Sequence, residues 1–275
     1  MSGHRAGAPG PLSIAGRLWR ERHLVRELTR REVVARYRGS WLGGAWALLE
    51  PLLQFALYTF VFAVVFRARW GTGDEGPGEY ALQLFAGLSL YNLFAEPAVS
   101  APNLVLSHRH FVRKAVFPLE TLPLARFLSA SVPALTSLAL LLVVLLFLGR
   151  GPLTTWLLLP LALVGPVLFS LGAVYFLAAI GVFVRDVGHV VRLAVMAGLF
   201  LSPVFYSLDR LPASWQRWLL LNPFSHFVRD LRRVALDGLP PVWLPWAIAL
   251  AASALLALLA YAWFDRSQRA FADVV

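Results

Sequence analysis

Long apolar stretches alternate with short polar segments along most of this 275-residue chain. There are six such stretches, at about residues 41–66, 80–101, 119–148, 153–184, 187–206 and 242–264. A helix of about 20 apolar residues is long enough to cross the roughly 30 Å hydrocarbon core of a bilayer. The pattern therefore predicts an all-α integral membrane protein with six transmembrane helices.

The segment before the first apolar stretch has a different pattern. In residues 16–28 apolar side chains recur on one helical face and arginines occupy the rest, which predicts an amphipathic interface helix. Thr29 and Glu32 have the spacing of a capping box, so we expect a helix to begin there. This arginine-rich helix is expected to enter the first span without a loop.

These patterns divide the chain into three parts. Residues 1–40 are predicted to form a cytoplasmic tail, the interface helix and a basic collar. Residues 41–264 form the transmembrane domain, and residues 265–275 form a second cytoplasmic tail.

The region between the fifth and sixth stretches, residues 208–241, contains two helical pieces that are too short to span a bilayer. Asn222 and Pro223 separate them. The second piece has an apolar face made of Phe224, Phe227, Val228, Leu231 and Val234. Its charged residues are expected mostly off that face: Arg229, Asp230, Arg232 and Arg233. We predict short external, re-entrant helices, because the apolar periodicity disfavours an ordinary loop.

The distribution of Lys and Arg predicts the orientation of the chain. With the N-terminus inside, 16 of these residues fall in inner segments and 8 in outer segments. Basic residues are concentrated on the cytoplasmic side of membrane proteins, so both termini are expected in the cytoplasm. Five of the outer arginines lie in residues 208–241 and weaken this bias.

Composition narrows the classes of function. The chain is 59% hydrophobic and carries a formal net charge of +10. Its arginines flank apolar stretches, which favours anionic headgroups or an acidic protein partner over nucleic acid. Cysteine is absent, which excludes disulfides and thiol chemistry. His108 and His110 have too few neighbouring ligands for a metal site, and no catalytic residues can be assigned.

Four ordered stretches carry a family resemblance that covers nearly the whole chain. They are RREVVARYRGSWLGGAWALLEPLLQFALYTFVFAVVF, FVRKAVFPLETLPLARF, GVFVRDVGHVVRLAVMAGLFLSPVFY and LPASWQRWLLLNPFSHFVRDLRRVALDG. Together they resemble the permease subunits of type-2 ABC exporters of polyprenyl-linked polysaccharides, the O-antigen and teichoic-acid group. The ordered set is far more specific than any one stretch.

The resemblance implies a homodimer in which each copy docks a separately encoded ATPase subunit. The chain has no G-x-x-x-x-G-K-[ST] phosphate loop, since its only lysine, Lys114, follows Arg113. ATP and Mg²⁺ are therefore expected on the partner, with no cofactor in this chain. Residues 107–118 would be the coupling helix, although on its residues alone this segment is a plain positive loop. The implied coupling residues are His108, Arg109, Phe111, Arg113, Lys114 and Phe117.

The resemblance also implies a substrate, a long glycan on a polyprenyl pyrophosphate lipid that is exported across the bacterial inner membrane. Aromatic side chains suit contacts with sugar hydroxyls and C–H faces, although many will instead face lipid or the helix core. The candidates for lining a channel are Tyr58, Phe62, Tyr91, Phe94, Tyr175, Phe176, Phe205 and Tyr206. Arg36 and Arg38 are candidates for attracting the pyrophosphate headgroup.

Three ionisable residues, Glu50, Glu96 and Arg126, fall within or near the spans. Such residues are paired or functional by default. We predict a structural ion pair between Arg126 and either Glu96 or Glu50. The alternative is a cytoplasmic gate that breaks and reforms.

Three functions therefore compete. The favoured one is a permease for an O-antigen-like glycan, which is not catalytic by itself. A type-2 ABC permease for teichoic acid, capsule or a small lipid or drug cargo is the closest alternative. An integral-membrane enzyme acting on polyprenyl lipids is more distant, because it would need clustered acidic residues and the 15 in this chain are scattered.

Overall fold

The computed structural model of the protein describes residues 11–70, 77–112, 117–151 and 154–274, and all regular structure in these ranges is helical. The α-helices are α1 (Pro11–Arg20), α2 (Arg22–Tyr37), α3 (Trp46–Tyr58), α4 (Pro77–Ser100), α5 (Leu104–Ser107), α6 (Arg109–Val112), α7 (Thr121–Phe147), α8 (Leu159–Phe183), α9 (Val187–Phe200), α10 (Ala213–Leu219), α11 (Pro223–Ala235) and α12 (Trp243–Val274). Short 3₁₀ or π segments precede or follow several of them: Gly43–Ala45, Thr59–Val65, Ala101–Asn103, Thr154–Leu158 and Leu208–Arg210.

Four helical segments of the described chain are long and apolar enough to cross a membrane. They are Gly43–Val65, Thr121–Phe147, Thr154–Phe183 and Trp243–Phe271. These segments coincide with the predicted first, third, fourth and sixth spans. The chain is therefore an α-helical, multi-pass membrane protein.

The predicted second span corresponds to α4, a helix of 24 residues that is about 36 Å long. It lies in the centre of the bundle, where it contacts α7, α8, α9 and α11, and every residue from 81 to 91 is buried. A helix that other helices shield from lipid does not need an apolar surface on every side. This explains why α4 can carry Gln83, Asn92 and Glu96 and is less apolar than α7 and α8.

The predicted fifth span is shorter than expected. Helix α9 ends at Phe200, so its 14 residues extend about 21 Å. The prediction of a helix to residue 206 is wrong, because residues 201–206 form turns in which Ser202, Pro203 and Val204 are buried. Arg232 of α11 donates hydrogen bonds to the Pro203 and Val204 carbonyls of this turn.

The N-terminal segment differs from the prediction in two ways. Helix α2 runs through Thr29 and Glu32, so no helix begins at Thr29, and residues 16–28 belong to two helices instead of one. The chain then leaves the helix at residues 38–42, and Gly39 and Gly43 have φ angles of +82° and +52°. These left-handed conformations, which glycine adopts readily, break the predicted continuity between the arginine-rich helix and the first span.

Helices α10 and α11 lie on either side of Asn222, where the sequence predicted two short helices. The Asn222 side chain accepts a hydrogen bond from the backbone N–H of Phe224 at 3.0 Å, and Pro223 occupies the first turn of α11. Both features are typical of a helix N-terminus. The apolar face of α11 packs against α4 and α8, which makes this helix part of the core.

The C-terminal helix extends further than predicted. Helix α12 continues past residue 264 to Val274, so most of the predicted tail is helical. Phe264 and Phe271 are buried and pack edge to face with ring centroids 5.5 Å apart, which holds this extension in place. Against α8 the two backbones approach so closely that a Cβ on Gly172 would lie 2.9 Å from the Cα of Ala257.

Candidate functional site

Charged and hydroxyl side chains from three helices meet where α2 lies against the ends of α4 and α7. We call this group the polar cluster, and its members are Glu32, Arg36, Glu96, Ser100, Arg126 and Ser129. Arg126 donates to the carboxylate of Glu32 at 3.2 Å and to Ser100 Oγ at 2.9 Å. Ser129 also donates to Glu32, and Arg36 forms an ion pair with Glu96. Two ion pairs therefore connect α2 to α4 and α7.

The prediction that Arg126 pairs with Glu96 or Glu50 is wrong in its partner. Arg126 is bound to Glu32, and Glu96 is bound to Arg36. The physical reason is the position of α2, which packs alongside α7 and places Glu32 beside Arg126 and Arg36 beside Glu96. The Glu50 side chain makes no hydrogen bond to the described residues, although its charge contributes to raising the pKa of Arg36.

Electrostatics at the end of α2 favour a charged Arg36. Burial opposes the charged guanidinium, but the hydrogen bond and charge of Glu96 outweigh this and raise the pKa of Arg36 above its usual value. Burial also disfavours the charged form of the neighbouring Tyr37 and so raises its pKa. Arg36 is thus already paired, whereas Arg38 is exposed at the end of α2 and has no ion-pair partner in the described chain.

In the described part of the predicted coupling segment, residues 107–112 and 117–118, the helix is α6, and α5 ends at the segment's first residue. Arg109 and His110 are exposed, while the ring of Phe111 stacks on that of Phe117 with centroids 4.1 Å apart. His108 is half-buried, and its Nδ1 lies 2.9 Å from the carbonyl oxygen of Leu104. Arg113 and Lys114, which the sequence also assigned to coupling, lie outside the described residues.

The Phe111–Phe117 stack rests on an apolar cluster below it. This cluster contains buried side chains of α5, α7, α8 and α12: Leu104, Val105, Leu122, Tyr175, Tyr261, Phe264 and Phe271 among them. The segment therefore presents a polar, exposed side outward and is seated through aromatic rings on the bundle. Because close-packed side chains are hardly compressible, a displacement of the outer side can be transmitted to α8 and α12.

The aromatic residues proposed to line a channel occupy different environments. Tyr91 and Tyr175 are buried inside the protomer, where their hydroxyls donate to the carbonyls of Val195 at 2.5 Å and Glu120 at 2.7 Å. Their rings and hydroxyls are used in contacts within the protomer, and a role in lining a channel stays a prediction for these two. Both lie on helix faces that pack against neighbouring helices, which one-dimensional spacing does not reveal.

The remaining aromatic candidates are partly accessible. Tyr58, Phe62, Phe94, Phe205 and Tyr206 are half-buried, and Phe176 is exposed. The ring of Phe62 stacks on Tyr80 with centroids 5.1 Å apart, and the Tyr80 hydroxyl donates to the Phe205 carbonyl at 2.7 Å. These contacts bring together the end of the first span, α4 and the turn after α9.

At the α11 end of the bundle, Arg232 is a residue that the sequence analysis placed wrongly. It is buried, and its Nε and Nη2 donate to the Gln83 carbonyl at 3.0 and 2.7 Å. Nη1 donates to Pro203 at 2.7 Å, Nη2 donates to Val204 at 2.9 Å, and the guanidinium lies 4.3 Å from the centroid of the Trp70 ring. Burial lowers the pKa of Arg232 to about 9, which leaves it charged at neutral pH.

Arg232 therefore joins α11 to α4 and to the turn that ends α9. A signal for this was present in the sequence, because Arg232 follows Phe224 and Val228 at four-residue spacing and shares their helical face. Asp230 is buried as well and accepts a hydrogen bond from the backbone N–H of Val242 at 3.3 Å, and burial raises its pKa. The prediction that these two charges lie off the apolar face is wrong.

Comparison with known proteins agrees with this architecture. The O-antigen export system permease protein RfbA of Myxococcus xanthus is 27% identical over 266 residues, which are 96% of this chain and 100% of that protein. RfbA of Klebsiella pneumoniae is 26% identical over 212 residues, which are 77% of this chain and 79% of that protein. Residues 23–236, from α2 to the end of α11, match the family described as ABC-2 type transporter. The match covers well over half of the sequence, so the chain belongs to the ABC-2 type transporter family, whose permeases are membrane subunits of transporters and are not themselves catalytic.

Proposed function

We propose that this chain is the transmembrane subunit of an ATP-driven exporter that moves a polyprenyl-pyrophosphate-linked, O-antigen-like polysaccharide from the cytoplasm across the inner membrane. The observation that carries this proposal is the similarity over 96% of the chain to a protein named as an O-antigen export permease. The aligned length includes the polar cluster, the coupling segment and α11, so the likeness extends to every part of the site.

The proposed topology has six spans and both termini in the cytoplasm. Helix α4 supplies the second span, and α9 together with the turn at residues 201–206 supplies the fifth, in addition to the four long apolar segments. The excess of Lys and Arg in the predicted inner segments supports this orientation. It assigns the polar cluster and the coupling segment to the cytoplasmic side, and α10, α11 and Arg232 to the outer half of the membrane or its surface.

Coupling to a separate ATPase would use the two sides of the coupling segment differently. Exposed Arg109 and His110 would bind the ATPase, and the Phe111–Phe117 stack would transmit its movement to α8 and α12. The polar cluster would carry movement between α2, α4 and α7 as one unit. In this proposal ATP and Mg²⁺ are bound by the ATPase subunit, and this chain holds no cofactor.

The glycan would pass between two copies of the chain. In the most apolar 18 residues of each long segment, only 6% are buried in Gly43–Val65, compared with 28% to 39% in the other three segments. This helix is therefore the one best placed to face a second copy and a path between the two. The half-buried aromatic residues Tyr58, Phe62 and Phe205 remain candidates for contacts with sugar.

The lipid headgroup would first meet the end of α2. Exposed Arg38 can attract a pyrophosphate directly, whereas Arg36 must first release Glu96. An exchange of Glu96 for a pyrophosphate would separate α2 from α4. Arrival of substrate would then alter the contact between α2 and the bundle.

The experiment that tests the proposal is co-purification of the tagged chain with the ATPase encoded beside it, followed by ATP hydrolysis assays in proteoliposomes. We expect a complex of two permeases and two ATPases whose hydrolysis is stimulated by a polyprenyl-pyrophosphate-linked glycan. The polyprenyl pyrophosphate without glycan and a phospholipid serve as matched test lipids.

Two outcomes would contradict the proposal in different ways. A monodisperse chain that binds no ATPase would contradict the transporter mechanism. A stable complex stimulated by small lipids or drugs, and not by the glycan lipid, would retain the transporter but replace the cargo.

A further inference from the structure

A groove of about 760 Å³ lies between helices α1, α2 and α7. Its apolar wall is formed by side chains of all three helices: Leu18, Val25, Val33, Val34, Leu124 and Leu128. Val34 and Leu128 are exposed, so the groove is open along its length and is not an internal cavity. This groove lies on the outer side of α2, and none of the polar cluster residues lines it.

Three arginines form one rim of the groove. Arg22, Arg26 and Arg30 follow one another at four-residue spacing on α2, which places them in a row with about 6 Å between successive residues along the helix axis. All three are exposed. No acidic residue lines the groove, so its rim is uniformly positive.

These rim arginines differ from other arginines of α1 and α2 in their pairing. Arg17, Arg31 and Arg36 are bound to Asp265, Glu27 and Glu96 respectively. In contrast, Arg26 and Arg30 have no ion-pair partner in the part of the chain that the structure describes, and Arg22 donates only to the carbonyl of Trp19 at 3.1 Å. The rim therefore offers two unpaired guanidinium groups to an anion.

We propose that this groove binds an anionic membrane phospholipid. Its acyl chains lie against the apolar wall, and its phosphate lies between Arg26 and Arg30. The charge of the rim complements a phosphate headgroup, and the wall complements hydrocarbon. Trp19, which is exposed beside the groove, is of the residue type that is enriched at the boundary between headgroups and hydrocarbon.

The position of the groove favours a lipid over a protein as its occupant. Leu124 and Leu128 lie in the first two turns of α7, a membrane-spanning segment, so a water-soluble subunit would have to enter the bilayer to reach them. A lipid of the same leaflet needs no such displacement. The bound lipid would fix α1 and α2 against α7 and so set the position from which α2 contacts the polar cluster.

Lipid retention by the purified full-length chain tests this proposal. The delipidated protein is titrated with dioleoyl phosphatidylglycerol or dioleoyl phosphatidylcholine, and bound lipids are counted by native mass spectrometry. We expect one tightly retained phosphatidylglycerol per chain and binding of phosphatidylcholine that is about tenfold weaker. The assay contains no ATPase and no glycan lipid, so its result is independent of the proposed export function.

Matched variants distinguish the groove from general basic charge. Arg26→Gln with Arg30→Gln should weaken phosphatidylglycerol binding about tenfold, whereas Arg20→Gln with Arg31→Gln removes the same charge away from the groove and should leave it unchanged. Leu128→Trp keeps every charge but fills the groove, and it should also reduce retention. Size-exclusion profiles identify any variant that fails to fold.

Three results would overturn the proposal. The first is equal retention of the two phospholipids, and the second is an equal loss in the two double variants. The third is displacement of phosphatidylglycerol by an equimolar polyprenyl pyrophosphate, which would make the groove a site for the export substrate.

Discussion

Arg232 is the residue on which the α11 end of the bundle depends. One buried guanidinium donates to three carbonyls: that of Gln83 within α4, and those of Pro203 and Val204 in the turn after α9, which lie outside any helix. An unsatisfied buried carbonyl is costly, so the stabilising effect lies in the planar fork as much as in the charge. Gly87 is required beside it, since a Cβ at that position would lie 2.7 Å from Arg232 Nη2.

We predict that Arg232→Lys lowers the free energy of unfolding by about 2 kcal/mol and the thermal midpoint by about 5 °C. Lysine keeps the positive charge but has a single nitrogen, which cannot reproduce the fork and leaves at least one carbonyl unpaired. Thermal unfolding of the purified proteins in one detergent measures the change. Arg217→Lys, at an exposed position of α10, is the control and should have no effect. Equal midpoints for Arg232→Lys and wild type would show that the planar fork of Arg232 does not stabilise the fold.

The polar cluster makes a second prediction at the scale of single residues. Glu32 and Arg126 form a half-buried pair supported by Ser100 and Ser129, so we expect their coupling free energy to be about 1 kcal/mol. A double-mutant cycle with Glu32→Gln and Arg126→Gln measures it from thermal or denaturant unfolding.

Two further double-mutant cycles serve as controls for the coupling between Glu32 and Arg126. Arg126 with Glu96 should be additive, because these residues are not paired in the structure. Glu27 with Arg31, an exposed pair one helical turn apart, should couple by no more than about 0.5 kcal/mol. A larger coupling for Arg126 with Glu96 than with Glu32 would restore the pairing expected from the sequence and contradict the structure.

At the scale of elements, the proposed coupling role assigns ATPase binding and the transmission of movement to different sides of the coupling segment. Arg109 is exposed, whereas Phe117 is half-buried, stacked on Phe111 and packed on the cluster that includes α8 and α12. Substitutions on the two sides should therefore have different effects on the same complex. Loss of the Arg109 charge should reduce ATPase binding. Loss of the Phe117 ring should leave ATPase binding intact but reduce substrate-stimulated ATP hydrolysis.

We predict that Arg109→Glu reduces the amount of ATPase that co-purifies with the chain. Phe117→Ala should retain the ATPase but reduce substrate-stimulated hydrolysis by at least about fivefold, since removal of a packed ring leaves the segment loosely seated. Phe147→Ala, at an exposed end of α7, is the matched control for removal of an aromatic ring. If Phe117→Ala hydrolyses ATP as wild type does, the stack has no role in transmission.

The sequence was sufficient to predict most elements because their signals are local. Four of the six predicted apolar runs coincide with helical segments long and apolar enough to cross a membrane, and Asn222 with Pro223 marked the start of α11. The misplaced features depend on tertiary contacts. The partner of Arg126 is 94 positions away on α2, and the burial of Arg232 depends on carbonyls of α4 and of the turn after α9. Spacing along one helix cannot supply such partners.

The arrangement of α4 shows the same limit for a whole helix. Its residues 81–91 are all buried, yet α4 is less apolar than α7 and α8, which are less completely covered. Hydropathy reports on surfaces that meet lipid, and α4 meets mainly protein. The apolar content of a central helix therefore understates how deeply the helix is buried.

At the scale of the whole molecule, other helices bury the membrane-spanning segments to different extents, and the least buried segment indicates the face used in the proposed homodimer. Helix α3 exposes Leu53 and Leu57 at 57% and 58%, and α12 exposes Leu255 and Leu259 at 57% and 61%. The two pairs have the same residue type, spacing and exposure, but α12 packs closely on α8, whereas the first span is hardly covered. In the proposed homodimer the first pair faces the other copy and the second pair faces lipid.

Single cysteines test this assignment directly, because the chain contains no cysteine of its own. A disulfide forms only when two Cα atoms approach to about 4.4–6.8 Å, so cross-linking reports contact between copies. We predict that oxidation of Leu53→Cys or Leu57→Cys in membranes gives a covalent dimer, and that Leu255→Cys and Leu259→Cys remain monomeric under the same conditions. Equal cross-linking at the two helices would indicate random collision in the bilayer. A dimer that cross-links only through α12 would place the interface, and with it the proposed glycan path, at α12 and not at the first span.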